Sequence, residues 1–188
     1  MVFDERKYQE ALDYVYSFVD FSLVRQARLS AENFNLDRMN HLMQLLGNPE
    51  RNYPVVHIAG TKGKGSTAAM IASVLQQAGY RVGLYTSPHL QDYVERIQIN
   101  REPISHQYFV ELLDRVRPFL SEVPQVSTFE ITTALGFLAM AEEKVDIAVV
   151  EVGLGGRLDA TNIVTPLVSV ITSLSYDHMN VLGNSIDQ

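Results

Sequence analysis

The sequence predicts an α/β protein, with a mostly parallel, doubly wound sheet covered by helices on both faces. Three observations favour this fold class. Short, largely apolar runs at residues 54–59, 81–86 and 146–152 are typical of strands buried on both faces. Segments with apolar residues at helical spacing separate these runs. Glycine-rich turns follow two of the strands, and strands that alternate with helices form parallel sheets.

The composition is that of an ordinary globular domain. The chain has 188 residues, of which 46% are hydrophobic and 20% charged, so it is long enough to bury a core. The net charge of -7 argues against a nucleic-acid surface, which needs concentrated Lys and Arg. No apolar run approaches the roughly 20 residues that span a bilayer, and the N-terminus is charged where a secretory signal is apolar. Because cysteine is also absent, we expect a cytoplasmic protein that binds neither nucleic acid nor membrane.

The first glycine-rich turn predicts a phosphate-binding site. It follows the apolar run Val55–Ile58 and precedes a predicted helix, whose free N–H groups and positive dipole end would point at the turn. Glycine-rich turns also occur without ligands, but the charge of Lys64 favours the phosphate of a small molecule. The residues predicted to bind it share this one turn: Gly60, Thr61, Lys62, Gly63, Lys64, Gly65 and Ser66.

The turn departs from the strict P-loop pattern. Only two residues separate Gly60 from Gly63, where that pattern has four. Gly65 follows Lys64 at the position where a hydroxyl belongs. Since that hydroxyl normally holds Mg²⁺ beside the phosphates, Ser66, Thr67 or a more distant residue must supply it.

Apolar periodicity predicts the remaining elements. Helices are predicted at residues 4–19, 36–46, 105–120 and 128–144. Further strands are predicted at residues 95–100 and 167–173. The helix after the phosphate turn is predicted to begin after Ser66. Its expected buried residues are Met70, Ile71, Val74 and Leu75.

Polar residues that follow the predicted strands should meet at one edge of the sheet, because the carboxyl ends of parallel strands face the same way. Ser87, Glu151 and His178 each lie at or just after such an end. Hydroxyl, carboxylate and phosphate oxygens suit Mg²⁺, so Ser87 could supply the hydroxyl that the glycine turn lacks. Ser87 could instead cap a turn, and His178 could hydrogen-bond a metal-bound water. Together with the glycine turn, these residues give four loops with complementary chemistry at one edge of the sheet, which favours a functional site there.

The chain resembles folylpolyglutamate synthase and dihydrofolate synthase, within the Mur ligase superfamily, in four ordered motifs. They are GTKGKGS, TSPHL with YVERI, EVGLGGRLDATN and the DH of SYDHMNVLG. The resemblance runs from about residue 8 to the last residue, with Lys62 where many members have Asn. It implies a P-loop NTPase-like fold, the central domain of Mur ligases. It also implies that ATP binds at Thr61–Ser66 and Mg²⁺ at Ser87, Glu151 and His178.

The resemblance further implies an activity and its substrates. In the family, a folate or dihydropteroate carboxylate attacks the γ-phosphate of ATP, and the amine of L-glutamate then displaces phosphate from the acyl phosphate. The residues implied to be catalytic are Lys64, Glu151 and His178. The pterin substrate would contact segments near Ala31–Phe34, Ser127–Glu130 and Leu158–Ala160. The substrate-binding residues so implied are Phe34, Ser127, Thr128, Phe129, Glu130, Leu158, Asp159 and Ala160. For Glu130, stabilisation of a helix start is the simpler interpretation.

The last residues predict a truncated chain. Ser185–Gln188 fits a capping box, so the sequence would stop where a helix begins. We expect residues 1–188 to be an incomplete N-terminal ATP-binding domain. The resemblance implies that a modified lysine and a C-terminal glutamate-binding domain lie beyond it. The chain alone is then expected not to ligate glutamate, and the full-length protein is expected to be a monomer.

Two other functions are compatible with the sequence. A cell-wall Mur ligase shares the glycine turn and the acyl-phosphate chemistry, although TSPHL and GLGGRLDATN favour the folate branch. A nucleotide-dependent switch would bind ATP without ligating a second substrate. The sequence does not distinguish addition of the first glutamate from addition of later ones.

Overall fold

A six-stranded sheet organises the chain. The structure is a computed structural model and describes residues 3–18 and 35–185. The strands are β1 Val55–Ala59, β2 Val82–Tyr85, β3 Ile97–Ile99, β4 Glu102–Pro103, β5 Ile147–Glu151 and β6 Val168–Ile171. Their order in the sheet is β4-β3-β2-β5-β1-β6. β2, β5, β1 and β6 run parallel, whereas β3 and β4 form antiparallel pairs at one edge. The predicted mostly parallel sheet is confirmed.

Helices connect most of these strands. The described α-helices are α1 Glu5–Tyr16, α2 Leu36–Leu45, α3 Lys64–Gln77, α4 His106–Leu120, α5 Thr128–Glu142 and α6 Met179–Leu182. Short 3₁₀ helices lie at Pro49–Arg51, Tyr93–Arg96 and Ala160–Ile163. The predicted helices at residues 36–46, 105–120 and 128–144 are therefore confirmed, and α1 lies within the helix predicted at residues 4–19. None of the helices in the described part of the chain is long and apolar enough to cross a membrane.

The two faces of the sheet carry unequal layers of helices. Successive strand residues point to opposite faces. Val55 and Val150 belong to the larger core, which includes residues of α1, α2, α4 and α5. Val56 and Val149 belong to the smaller core, which α3 covers. Helix α5 packs against the sheet and against other helices, so eleven of its fifteen residues are buried rather than a single stripe.

Helix α3 differs from its prediction in start and in orientation. It begins at Lys64, directly after Gly63, rather than after Ser66. Met70 and Val74 are 62% and 69% exposed, so their prediction as buried residues is wrong.

Small residues explain the orientation of α3. The fully buried positions are Ala68 and Ala72, and Ile71 and Leu75 pack against the same core as predicted. Alanines allow the helix axis to lie close to the strands, which larger side chains would prevent. Since Ala68 and Ala72 have the same four-residue spacing as Met70 and Val74, periodicity alone does not distinguish the two faces.

His106 joins α1 to the start of α4. Its Nδ1 lies 2.6 Å from Oε2 of Glu5, and its Nε2 lies 2.7 Å from Oδ2 of Asp92. The ring stacks on Tyr8 with a centroid separation of 3.7 Å, and the Tyr8 hydroxyl donates to Asp92. Partial burial opposes the charge on the imidazole. The hydrogen bonds to Asp92 and Glu5 outweigh burial and raise the pKa of His106 above its ordinary value.

We expect His106→Gln to destabilise the protein in a pH-dependent way. The folded-state pKa of His106 is raised, so its stabilisation is fully present below about pH 6.5 and is lost as pH rises through the folded-state pKa. The loss in free energy of unfolding should be about 1 kcal/mol near pH 6 and smaller at pH 9, because the charged hydrogen bonds are partly exposed. Urea unfolding at both pH values measures it.

His41→Gln is the matched control, since His41 is exposed on α2. An equal loss at both pH values for His106→Gln would contradict the charged pairing.

Candidate functional site

Residues that follow β6 hold the turn between β1 and α3. Gly60 has a φ of 137°, and a Cβ there would lie 2.0 Å from Oγ1 of Thr172, so only glycine fits. The Thr61 N–H donates to the Ser173 carbonyl oxygen at 2.8 Å. The Thr172 hydroxyl donates to the Lys62 carbonyl oxygen at 2.9 Å. The glycine turn and the end of β6 therefore hold each other in place.

Helix α3 starts directly from this turn. Gly63 precedes it with a φ of 80°, a left-handed conformation that suits glycine. Gly63 has no side chain that could cap the helix. N–H groups of the first turn can therefore face an anion, while the Gly65 N–H bonds to the carboxylate of Glu151. Lys64 is the first helical residue and adds its charge there. The geometry is that of an anion site, although binding by individual turn residues stays a prediction.

A cavity of about 360 Å³ lies beside the turn, at the carboxyl ends of the parallel strands. Residues of the glycine turn, of segments 153–158 and 174–178, and of the chain after α6 line it. Lys64 and His178, which were predicted from separate loops, both face this cavity. His178 is 47% exposed, and its Nε2 lies 3.7 Å from a carboxylate oxygen of Asp177.

Glu151 and Ser87 form a second cluster against α3. Glu151 ends β5 and is 5% exposed, and its Oε2 accepts the Ser87 N–H at 3.0 Å. A Cβ on Gly65 would lie 3.3 Å from that oxygen, so the start of α3 packs against the carboxylate. Burial raises the pKa of Glu151, while the Ser87 N–H and the charge of Lys64 act in the opposite direction. The structure thus joins Glu151, Ser87 and the glycine turn, as predicted from the sheet edge.

The chemistry of this cluster fits Mg²⁺. Within residues 3–18 and 35–185, no Lys, Arg or His nitrogen lies within 4.0 Å of the Glu151 carboxylate. Burying a carboxylate without an ion-pair partner costs free energy, and coordination of a cation would offset that cost. Ser87 contributes a hydroxyl, and both are hard oxygen donors. Across the described residues no three His, Asp or Glu side chains form a metal-binding group, so hydroxyl and phosphate oxygens would complete the coordination.

A series of buried hydrogen bonds holds the loop that lines the cavity. Asp159 accepts the Leu154 N–H at 2.8 Å and the Thr161 hydroxyl at 2.5 Å. Oγ1 of Thr161 lies 2.8 Å from Nε2 of His57 on β1. Since the Thr161 proton goes to Asp159, Nε2 of His57 must donate. Burial lowers the pKa of His57, which keeps the ring neutral.

Sequence reasoning missed His57 and Thr161. The available signal was a histidine inside an otherwise apolar strand, which requires a polar partner. Nothing in the sequence indicates that the partner lies 104 residues away.

Two of the predicted pterin-binding segments, residues 127–130 and 158–160, lie close together in the structure. Phe129 packs on Gly153, because a Cβ on that glycine would lie 2.5 Å from Cζ of Phe129. Leu158 is 37% exposed and lines the cavity, whereas Ala160 is buried. Asp159 is 5% exposed, and its carboxylate is engaged inside its own loop. Substrate contact at these positions stays a prediction.

The start of α5 has the simpler role considered for Glu130. Ser127 and Glu130 form a capping box, in which the Glu130 carboxylate accepts the Ser127 N–H at 2.7 Å. Nε of Arg38 lies 3.1 Å from the same carboxylate. Thr128 donates to the Val15 carbonyl oxygen at 3.0 Å, which joins α5 to α1. Phe34 lies outside the described residues.

A glycine turn, a strand-end carboxylate and a parallel sheet define the class of this protein. The family described as Mur ligase middle domain matches residues 58–187, and the chain belongs to it. The sequence is 44% identical over 187 residues to the dihydrofolate synthase/folylpolyglutamate synthase of Bacillus subtilis, covering 96% of this chain and 41% of that protein.

Solved structures show the same likeness. The folylpolyglutamate synthase of Mycobacterium tuberculosis, complexed with ADP, has a TM-score of 0.82 at 39% identity over 93% of this chain and 38% of its own. A complex of folylpolyglutamate synthase with AMPPCP and folate has a TM-score of 0.86 at 40% identity, over 95% of this chain and 43% of its own. The chain thus spans about two fifths of these relatives. The predicted resemblance is confirmed.

We expect Thr161→Val to destabilise the fold by about 2 kcal/mol. The substitution keeps the shape but leaves two buried groups, Asp159 and His57, without the hydroxyl that bonds both. The free energy of unfolding in urea measures the loss. Thr165→Val serves as control, since Thr165 is exposed and should change stability by about 0.5 kcal/mol or less. Equal effects of the two substitutions would show that the buried hydrogen bonds of Thr161 contribute nothing to stability.

Proposed function

We propose that the protein carrying this chain uses ATP to ligate L-glutamate to the carboxylate of folate or dihydropteroate. One observation carries the proposal: Lys64 of the glycine turn and Leu158 of the predicted pterin segment line the same cavity. A ligase of this kind must bring the γ-phosphate and the carboxylate together, and a shared cavity allows it. The neighbours solved with ADP, and with AMPPCP and folate, support these ligands. A cytoplasmic location and a monomeric state belong to the proposal and rest on the sequence.

The proposed reaction has two steps. A carboxylate oxygen of the substrate bonds to the γ-phosphorus of ATP, the bond from that phosphorus to the β–γ bridging oxygen breaks, and ADP leaves. The glutamate amine then bonds to the carbonyl carbon of the acyl phosphate, releases a proton and displaces phosphate. Negative charge develops on the transferred phosphoryl group and on ADP in the first step. Lys64 and the first N–H groups of α3 stabilise that charge.

Mg²⁺ is part of the proposal, with Ser87, Glu151 and His178 as the residues that would hold it. When bound it would neutralise phosphate charge. Glu151 and Ser87 are already in contact through the Ser87 N–H, so their oxygens need little rearrangement to face one ion. His178 reaches the cavity from the residue before α6, where its exposed ring can bind a metal or hydrogen-bond a bound water.

Product analysis tests the proposed function. The full protein is incubated with Mg-ATP, L-glutamate and either folate or dihydropteroate, and ADP release and glutamylated product are measured together. We expect one ADP for each amide formed, and no product when either co-substrate is omitted. Nucleotide binding without any glutamylated product would instead favour a nucleotide-dependent switch. Ligation of an amino acid to a cell-wall precursor would favour the other Mur ligase branch.

We expect Lys64→Ala to lower the affinity for Mg-ATP by about a hundredfold or more, beyond detection by ordinary calorimetry. The substitution removes the cation at the start of α3, and charge-assisted contacts to phosphate are among the strongest in proteins. Calorimetric titration with Mg-ATP measures the change. Lys7→Ala removes the same charge from the exposed face of α1 and should bind like the parent. Equal affinities of parent and Lys64→Ala would exclude Lys64 as a phosphate ligand.

We expect Glu151→Gln to weaken Mg²⁺-dependent nucleotide binding about tenfold without lowering stability. The amide keeps the shape of the side chain but removes the charge that would face the cation. Titrations with and without Mg²⁺ separate the metal effect from the nucleotide effect, and urea unfolding checks the fold. Glu122→Gln, at an exposed position, is the control. If Glu151→Gln retains the full Mg²⁺ dependence, Glu151 is a structural carboxylate only.

A further inference from the structure

The cavity beside the glycine turn carries a second cation that the proposed chemistry has not used. Arg157 is exposed and lines the same cavity as Lys64. In the part of the chain that the structure describes, neither side chain has a carboxylate within 4.0 Å. Two cations that line one cavity without a close ion pair favour a bound anion there.

The backbone that carries Arg157 is held on both sides. Before it, the Gly156 N–H donates to the Leu154 carbonyl oxygen at 2.8 Å, and the Leu154 N–H is held by the buried carboxylate of Asp159. After it, the Asp159 N–H donates to the Gly156 carbonyl oxygen at 3.1 Å. The carbonyl oxygen of Arg157 itself accepts Nδ2 of Asn162 at 3.0 Å. Because folding has already ordered this loop, binding a ligand costs less conformational entropy.

The residues near Arg157 indicate what kind of ligand it would bind. Its neighbour Leu158 lies in the predicted pterin segment, and Lys64 lies at the start of α3 where nucleotide phosphates are expected. Arg157 therefore belongs to the part of the cavity where a substrate carboxylate and the terminal phosphate would meet. A guanidinium binds either oxyanion through two parallel hydrogen bonds, which the ammonium of lysine does not reproduce.

We propose that Arg157 is a direct ligand of the reacting oxyanion, either the terminal phosphoryl group of the nucleotide or the carboxylate that accepts it. This inference rests on the proposed function, because it assumes that both groups enter this cavity. Arg157 then acts together with Lys64. Lys64 and α3 hold the phosphates that remain with ADP, and Arg157 holds an oxygen of the group being joined.

Calorimetric titrations of the full protein that carries this chain test the inference. Parent, Arg157→Ala and Arg157→Lys are each titrated with Mg-ADP, Mg-AMPPCP and folate. If the ligand is the terminal phosphoryl group, Arg157→Ala should lose about tenfold or more in AMPPCP affinity while ADP affinity stays within about twofold. If the ligand is the carboxylate, the same loss appears with folate. Arg157→Lys should recover only part of the affinity, because it keeps the charge without the planar fork.

Arg101→Ala is the matched control. Arg101 lies in the turn between β3 and β4, beside Asn100, whose N–H bonds to the carbonyl oxygen of Val82 at the amino end of β2. Arg101 is thus exposed near the amino ends of the strands, whereas the cavity lies at their carboxyl ends. Arg101→Ala should therefore leave all three affinities unchanged.

Three results would contradict this inference in different ways. If Arg157→Ala binds AMPPCP and folate as well as Arg101→Ala does, Arg157 is a solvated surface residue and only the inference fails. If ADP affinity falls as much as AMPPCP affinity, Arg157 acts through general charge or loop shape rather than on the reacting oxyanion. If the parent binds no nucleotide, the proposed function fails and the inference fails with it.

Discussion

The close contact between the start of α3 and the end of β5 is the constraint on which the site depends. Gly65 lies against the carboxylate of Glu151, where a Cβ would come within 3.3 Å of Oε2. Ala68 and Ala72 continue the same face of the helix and are fully buried against the sheet. These small residues set the rotation of α3, so its N–H groups and the buried carboxylate lie side by side. The helix start that forms the candidate anion site and the buried carboxylate of Glu151 are therefore one structural unit.

Buried polar groups hold the loops around the cavity in place. The Asp159 carboxylate organises segment 153–159, and His57 on β1 reaches the same network through Thr161. On the other side of the cavity, Thr172 and Ser173 hold the glycine turn. Most of the ordering of the site thus occurs during folding, which leaves Lys64 and Arg157 facing the cavity on backbone that is already fixed.

The two helix layers contribute differently, the larger one mainly to stability and the smaller one to the candidate site. The larger core, with α1, α2, α4 and α5, buries most of the apolar side chains, and the His106 ring stacks on Tyr8 of this core. The smaller core contains α3 and the strand faces beneath it. Segment 127–130 connects the larger core to the cavity, since its capping box begins α5 while Phe129 packs on Gly153 beside the cavity. A substrate bound at this segment would contact both the stable layer and the glycine loops.

The sequence by itself determined the strand–turn–helix around Lys64, the parallel sheet, and the strand ends where Ser87, Glu151 and His178 lie. These follow from signals between near neighbours in the chain: apolar period, glycine conformation and the rule that parallel strands share a carboxyl edge. Only the tertiary structure decided which face of α3 is buried, that His57 meets Thr161, and that Arg157 and Lys64 line one cavity. Such contacts join residues tens of positions apart, and they depend on how closely side chains of given volume pack, which no local pattern records.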